Sequence, residues 1–159
     1  MIFLLVLIGS VAVYGQDHDH DHHHHNHSCT HSNNQHIVPK QVVLNIVNDM
    51  DKNGDGIVGL TEVSAEFISR YDPEKDGKVP EDDFVKQWHQ RYHDDDDFVG
   101  YLFHHFDKDD DENLTAADLA ILAKSIDTDG NGQVSVAEFQ AFMINLYVNC
   151  VPSKYSHGP

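Results

Sequence analysis

The chain has 159 residues, 40% of them hydrophobic, enough for one domain with a real core or for two small lobes. Its formal net charge of −17 argues against a nucleic-acid phosphate partner and for cations. Neither cysteine has the surroundings of a nucleophile and no glycine-rich phosphate loop follows a strand, so no enzyme is expected.

Residues 1–15 form an apolar run too short to cross a bilayer as a helix. With the small residues Val13 and Gly15 ahead of a cut, it reads as a signal peptide, although its start lacks Lys and Arg. No later segment is apolar enough for a membrane span, and the final Ser-His-Gly-Pro159 is no retention signal. The expected mature protein is secreted and extracellular.

Residues 16–36 change abruptly to a His/Asp-rich tail that holds nine of the 14 histidines. Such a tract buries too little apolar surface to offset its ordering entropy, so disorder is expected. His18, His20, His22, His23, His24, His25 and His27 are candidate Zn²⁺ or Cu²⁺ ligands, since dense neutral imidazoles with interleaved carboxylates bind such ions. The alternative is a solvating tail whose metal binding is incidental. Cys29 and Cys150 flank the rest of the chain, and in a secreted protein they are expected to pair, with an intermolecular bridge as the rival. Closing so long a loop is worth about 4–5 kcal/mol in the chain-entropy account. Asn26 and Asn113 begin glycosylation sequons.

Six helices follow from apolar spacing at three and four residues. Their inward sets are Val42, Val43, Ile46, Val47, Met50; Val63, Phe67, Ile68, Tyr71; Phe84, Val85, Trp88, Tyr92; Phe98, Leu102, Phe103, Phe106; Leu119, Leu122, Ala123, Ile126; and Phe139, Phe142, Met143, Leu146. Pro39 opens the first of them, where a missing N–H is harmless.

Between the helices lie four acidic loops of one template. In 127–138, oxygen donors stand at positions 1, 3, 5, 9 and 12, namely Asp127, Asp129, Asn131, Ser135 and Glu138, with the carbonyl of Gln133 at 7 and Gly132 at 6. Ca²⁺ needs six to eight oxygens at about 2.3–2.6 Å, so a short chain must wrap it, and position 12 closes the cage with both carboxylate oxygens. Loop 51–62 matches fully, through Asp51, Asn53, Asp55, the Ile57 carbonyl and Glu62. Two imperfect copies are 72–83, with Asp72, Glu74, Asp76, Lys78 and Asp83, and 107–118, with Asp107, Asp109, Asp111, Asn113 and Asp118. Position 8 is apolar in all four, as Val58, Val79, Leu114 and Val134.

In these motifs the sequence resembles the EF-hand family over roughly residues 39–148, within a domain drawn at 37–150 and followed by a flexible 151–159. The resemblance implies an all-α fold of six helices around four calcium-type loops, with very short β-pairings between loops. Its implied ligand is Ca²⁺, strongest in loops one and four. Asp83 and Asp118 are short for bidentate contact, Pro80 stands at position 9 of loop two, and Glu112 occupies the glycine position of loop three. Those two loops are therefore expected to bind weakly, with Mg²⁺ as a candidate for loop two. His89, His93, His104 and His105 are a candidate second transition-metal cluster, or simply a solvated flank.

Loop starts are 21, 35 and 20 residues apart, so loops one and two must share a helix, as must loops three and four. A shared helix of about ten residues is about 15 Å long and holds its loops at opposite ends. Loops two and three can pair normally, and their outer helices would bring loops one and four together at the far end.

Three functions fit: an extracellular Ca²⁺ buffer, carrier or mineral-associated protein; a calcium sensor for an unidentified protein partner; or a Zn²⁺/Cu²⁺ carrier working through the tail. With only three Met in the chain, an adaptable sensor groove is the less favoured of the first two. The architecture is tested by the Val58–Val134 separation, which must be short.

Overall fold

The computed structural model describes residues 27–152. The apolar run 1–15, the tail histidines His18 to His25, the Asn26 sequon and residues 153–159 lie outside the described residues, as do the expectations placed on them.

The helices fall where the apolar spacing puts them. Helix α1 (Pro39–Met50) buries Val42, Val43, Ile46, Val47 and Met50 on one stripe. Helix α2 is α-helical over Leu60–Val63 and π-helical over Ser64–Ser69, and it turns Glu66, Phe67 and Ile68 inward together. A π-turn holds more residues per turn, so consecutive residues fall within a narrower arc and can face inward together, which the 3.6-residue spacing does not anticipate. Helices α3 (Glu81–Tyr92), α4 (Asp96–Phe106), α5 (Ala116–Ile126) and α6 (Val136–Val148) complete the set. Thr115 and Ser135 cap α5 and α6 with capping boxes to Asp118 and Glu138.

The loops pair as the spacing requires. Strands β1 (Val79–Pro80) and β2 (Asn113–Leu114) join loops two and three antiparallel, with Val79 opposite Leu114. At the other end the Val58 N–H donates to the Val134 carbonyl at 2.8 Å and the Val136 N–H to the Gly56 carbonyl at 2.9 Å, with Ile57 opposite Ser135. Helix α1 packs along α6, α3 along α4, and α2 against α5.

One core fills the space between the two loop pairs. Phe67, Phe84, Trp88 and Phe106 are fully buried and meet at ring-centroid distances of 5.2 to 6.1 Å. Each such side chain contributes roughly 1.5–3 kcal/mol through burial. Of the expected inward residues, Val85, Ala123 and Phe142 are only partly buried against this core.

Of the tail expected to be disordered over 16–36, residues 27–36 are described, and they pack beside the turn between α3 and α4. His93 reverses the chain with φ 64°, and Asp94 is 0% exposed. The Asp94 carboxylate accepts from Trp88 Nε1 at 3.0 Å, Asn33 Nδ2 at 2.8 Å and the hydroxyl of Tyr147, and lies 2.9 Å from His31 Nε2. Residues 28–34 run beside this turn, the Asn34 N–H donating to the His93 carbonyl and the Asp95 N–H to the Ser32 carbonyl. The His31 ring sits edge-on to Phe98, 5.1 Å away. These contacts offset the ordering entropy that composition alone leaves unbalanced. The Cys29–Cys150 disulfide then ties this arm to the segment after α6, with Cα atoms 5.0 Å apart.

Replacing Asp94 with Ala strands several buried donors at once. The expected loss is about 3–5 kcal/mol in reversible urea unfolding. Wild-type stability in Asp94→Ala would show that the arm is held by the disulfide alone.

Candidate metal centres

Each loop is shaped by its first residue. In loop one, Asp51 Oδ1 accepts from the Gly54 and Asp55 N–H groups at 2.8 and 3.1 Å, and Oδ2 from Gly56 at 3.0 Å. Asn53 Oδ1 accepts from Asp55 N–H at 2.7 Å and Asp55 Oδ1 from Ile57 N–H at 2.9 Å. Glu62 reaches back to accept from Asn53 and Gly59 N–H, so position 12 lies across the loop mouth.

Loop four repeats this pattern with Asp127 accepting from Gly130, Asn131 and Gly132, and Asn131 accepting from Gln133 N–H. Glu138 Oε1 accepts from the N–H and hydroxyl of Thr128, both at 2.8 Å. Its Oε2 accepts from Ser135 N–H and Oγ. Asp127, Asp129 and Glu138 offer oxygens within 4.8 Å of one another. The Ser135 donors, joined by those of Thr128, hold Glu138 down at a pKa of about 2.

The two imperfect loops differ from each other. In loop three Asp118 is buried, accepts from the Lys108 N–H at 3.0 Å across the loop, and takes both Thr115 donors. Asp107, Asp109 and Asp118 come within 4.8 Å as a trio. The short Asp at position 12 thus closes this loop. In loop two Asp72 accepts from Lys75 and Gly77, and Asp76 from Lys78. Among the described residues Asp83 makes no such bond back across its loop, and Glu74 and Asp76 are exposed. Asn113, the sequon residue of loop three, is half-buried in β2 and its side-chain amide donates to the Asp111 carbonyl.

Positions 4 and 6 are left-handed in all four loops. Gly54, Gly56, Gly77, Gly130 and Gly132 accept this readily, whereas Lys75, Asp110 and Glu112 adopt φ of 60 to 61°. Each such non-glycine residue costs on the order of 1 kcal/mol. The requirement at position 4 escapes a reading of the ligands alone, though the paired glycines of loops one and four signal it.

Burial raises the Asp107 carboxyl, its own backbone donors oppose the rise, and the Asp118 charge adds to it. A divalent ion among these oxygens would relieve that repulsion. The donors throughout are hard oxygens, which fit Ca²⁺ better than softer ions.

The four helical histidines do not assemble. His89 Nδ1 lies against the Asp94 carbonyl and Asp96, His93 forms the turn, and His105 Nε2 lies 3.0 Å from the Val151 carbonyl. His104 faces elsewhere, toward Glu81.

Helix, wrapped acidic loop and helix, paired loop to loop through a short antiparallel ladder, define the architecture. The fold is an EF-hand fold. Residues 69–144 match the family model of an EF-hand domain pair, a span that contains loops two, three and four. No curated protein matches the chain. An EF-hand pair implies calcium binding, and Ca²⁺ is the expected ligand of these loops.

Glu138→Gln is expected to weaken loop four roughly a hundredfold, the equivalent of about 2.7 kcal/mol, and adding Glu62→Gln to remove most of the binding at that end. Calcium titration calorimetry reads both, and retention of the heat would mean that the ligands are misassigned. Asp118→Asn should abolish a further site while Asp83→Asn changes little. A carboxyl lowered in the fold contributes stability above its ordinary value near 4.5, and that contribution is lost only as pH falls toward about 2. Asp107, raised instead, takes up its proton earlier. Acidification should therefore weaken loop three before loop four.

Proposed function

We propose that the protein is a secreted calcium-binding protein that buffers or carries Ca²⁺ outside the cell, in association with mineral or another extracellular surface, and that it is not an enzyme. The observation that carries this reading is a closed frame around exposed acidic loops. Among the described residues the large apolar side chains left exposed are Val38, Leu60, Ile121 and Val148, each at or beside a different helix. A sensor would have to open its helix pairs to offer an apolar groove. Here the Asp94 contacts join the α3–α4 turn to α6, and the disulfide ties the arm to the segment behind α6.

Three further features support the extracellular setting: the signal-like run at 1–15, a disulfide that persists in oxidising compartments, and a charge of −17 that bound cations would partly neutralise. Millimolar surroundings make modest acidic sites useful. No described helix is long and apolar enough to cross a membrane.

Calorimetric Ca²⁺ titration with Mg²⁺ present, run beside a hydrophobic-dye assay, separates buffer from sensor. The expected result is several sites at about 0.1–1 mM and no calcium-dependent rise in dye emission. Micromolar sites with a strong rise in emission would establish a sensor instead.

A further inference from the structure

Apart from the candidate calcium ligands, one cluster combines two imidazoles and a carboxylate drawn from three separate stretches of the chain. His27 Nε2 lies 3.0 Å from Glu81 Oε1, and His104 Nε2 lies 4.0 Å from Glu81 Oε2. The two imidazole rings have centroids 4.7 Å apart. Each of the three side chains offers one ligand atom within 4.8 Å of the others. A tetrahedral Zn²⁺ with ligands at about 2.0–2.2 Å places its donors about 3.4 Å apart, a value bracketed by the two contacts with Glu81. We propose that His27, Glu81 and His104 form a zinc-class transition-metal site with one position open to solvent, sharing no residue with the candidate calcium ligands.

The fold holds these three residues in place. Glu81 is the first residue of α3, directly after β1, and His104 is in the last turn of α4. His27 is brought in by the arm, two residues before the disulfide at Cys29. Gly100, inside α4, is what lets it approach. A Cβ there would stand 2.1 Å from His27 Nδ1, so no larger residue leaves the imidazole in position. Glycine inside a helix costs roughly 0.5–1 kcal/mol relative to alanine, and this close approach is its structural return.

The chemistry selects the ion. Two nitrogen donors and one carboxylate suit Zn²⁺, or Cu²⁺ by the same donors, whereas Ca²⁺ requires an all-oxygen set of higher number. The Nδ1 of His104 is buried without a hydrogen-bond partner among the described residues, and Nε2 is the ring nitrogen that faces Glu81. This site is independent of the calcium assignment and of any binding by the earlier tail histidines. A bound ion would fasten the arm to the base of loop two and to the helix entering loop three.

The test uses the full chain with His18, His20, His22, His23, His24 and His25 all replaced by Asn, titrated with Zn²⁺ in saturating Ca²⁺. One equivalent is expected, and Co²⁺ in its place should give the intense visible absorption of a tetrahedral site. His104→Gln and Glu81→Gln should each weaken Zn²⁺ at least tenfold. Gly100→Ala should do the same while leaving every ligand in place. A calcium titration unchanged in His104→Gln and Gly100→Ala separates loss of the site from loss of the fold. Absence of a stoichiometric Zn²⁺ equivalent in the six-histidine variant, or Zn²⁺ affinity unchanged by all three point substitutions, would overturn the proposal.

Discussion

The structure depends on a constraint of length. Only about ten residues separate the end of loop one from the start of loop two, and fewer still separate loops three and four, so one helix must serve each pair of neighbours. A rigid helix keeps the loops at its two ends apart, which forbids pairing between sequence neighbours. Every loop then has to find its partner in the other half of the chain. Loops two and three meet across the short α3–α4 connection, and the Val58–Val134 contact closes the opposite end. The two halves are thereby wrapped about each other, with a single core of Phe67, Phe84, Trp88 and Phe106 between them.

That wrapping gives Asp94 its place. A carboxylate buried at 0% exposure is costly unless its oxygens are satisfied, and here they gather Trp88, Asn33, His31 and Tyr147 from three otherwise separate stretches. The effect is to convert residues 27–36 from tail into part of the domain. A second buried group, Glu66 in the π-helical stretch, meets Arg70 and Arg91, and Arg91 in turn reaches Asp49 at 2.7 Å. These ion pairs join α1, α2 and α3.

Against this frame the loops divide by how well position 12 folds back. Glu62 and Glu138 have the length to reach across. Asp118 compensates for its shortness by sitting buried at the cap of α5, where Thr115 and Lys108 draw it over the loop. Asp83 stands at the same position of α3, but it follows Pro80, whose N-cap role brings no side-chain donor or acceptor. Two loops with the same defect in ligand length thus differ in closure because of the residue that caps the following helix.

Much of this was legible in the chain itself. The four-loop template, the apolar spacing of the helices and the gaps between loop starts are local or additive properties, and they determined the fold class and the pairing of loops two with three and one with four, and named the candidate oxygen donors. Two cysteines left a pairing within the chain or between chains, and the structure joins Cys29 to Cys150. What only the tertiary structure decided rests on contacts between residues distant in sequence. His31 and Asn33 have no local reason to be ordered until Asp94 is buried beside them, and His27 has no local reason to meet Glu81 until the gap above Gly100 admits it. Composition measures what a segment can bury by itself. It carries no record of surfaces that the rest of the fold supplies, and for that reason the arm, the Asp94 hub and the histidine–carboxylate cluster emerged only in three dimensions.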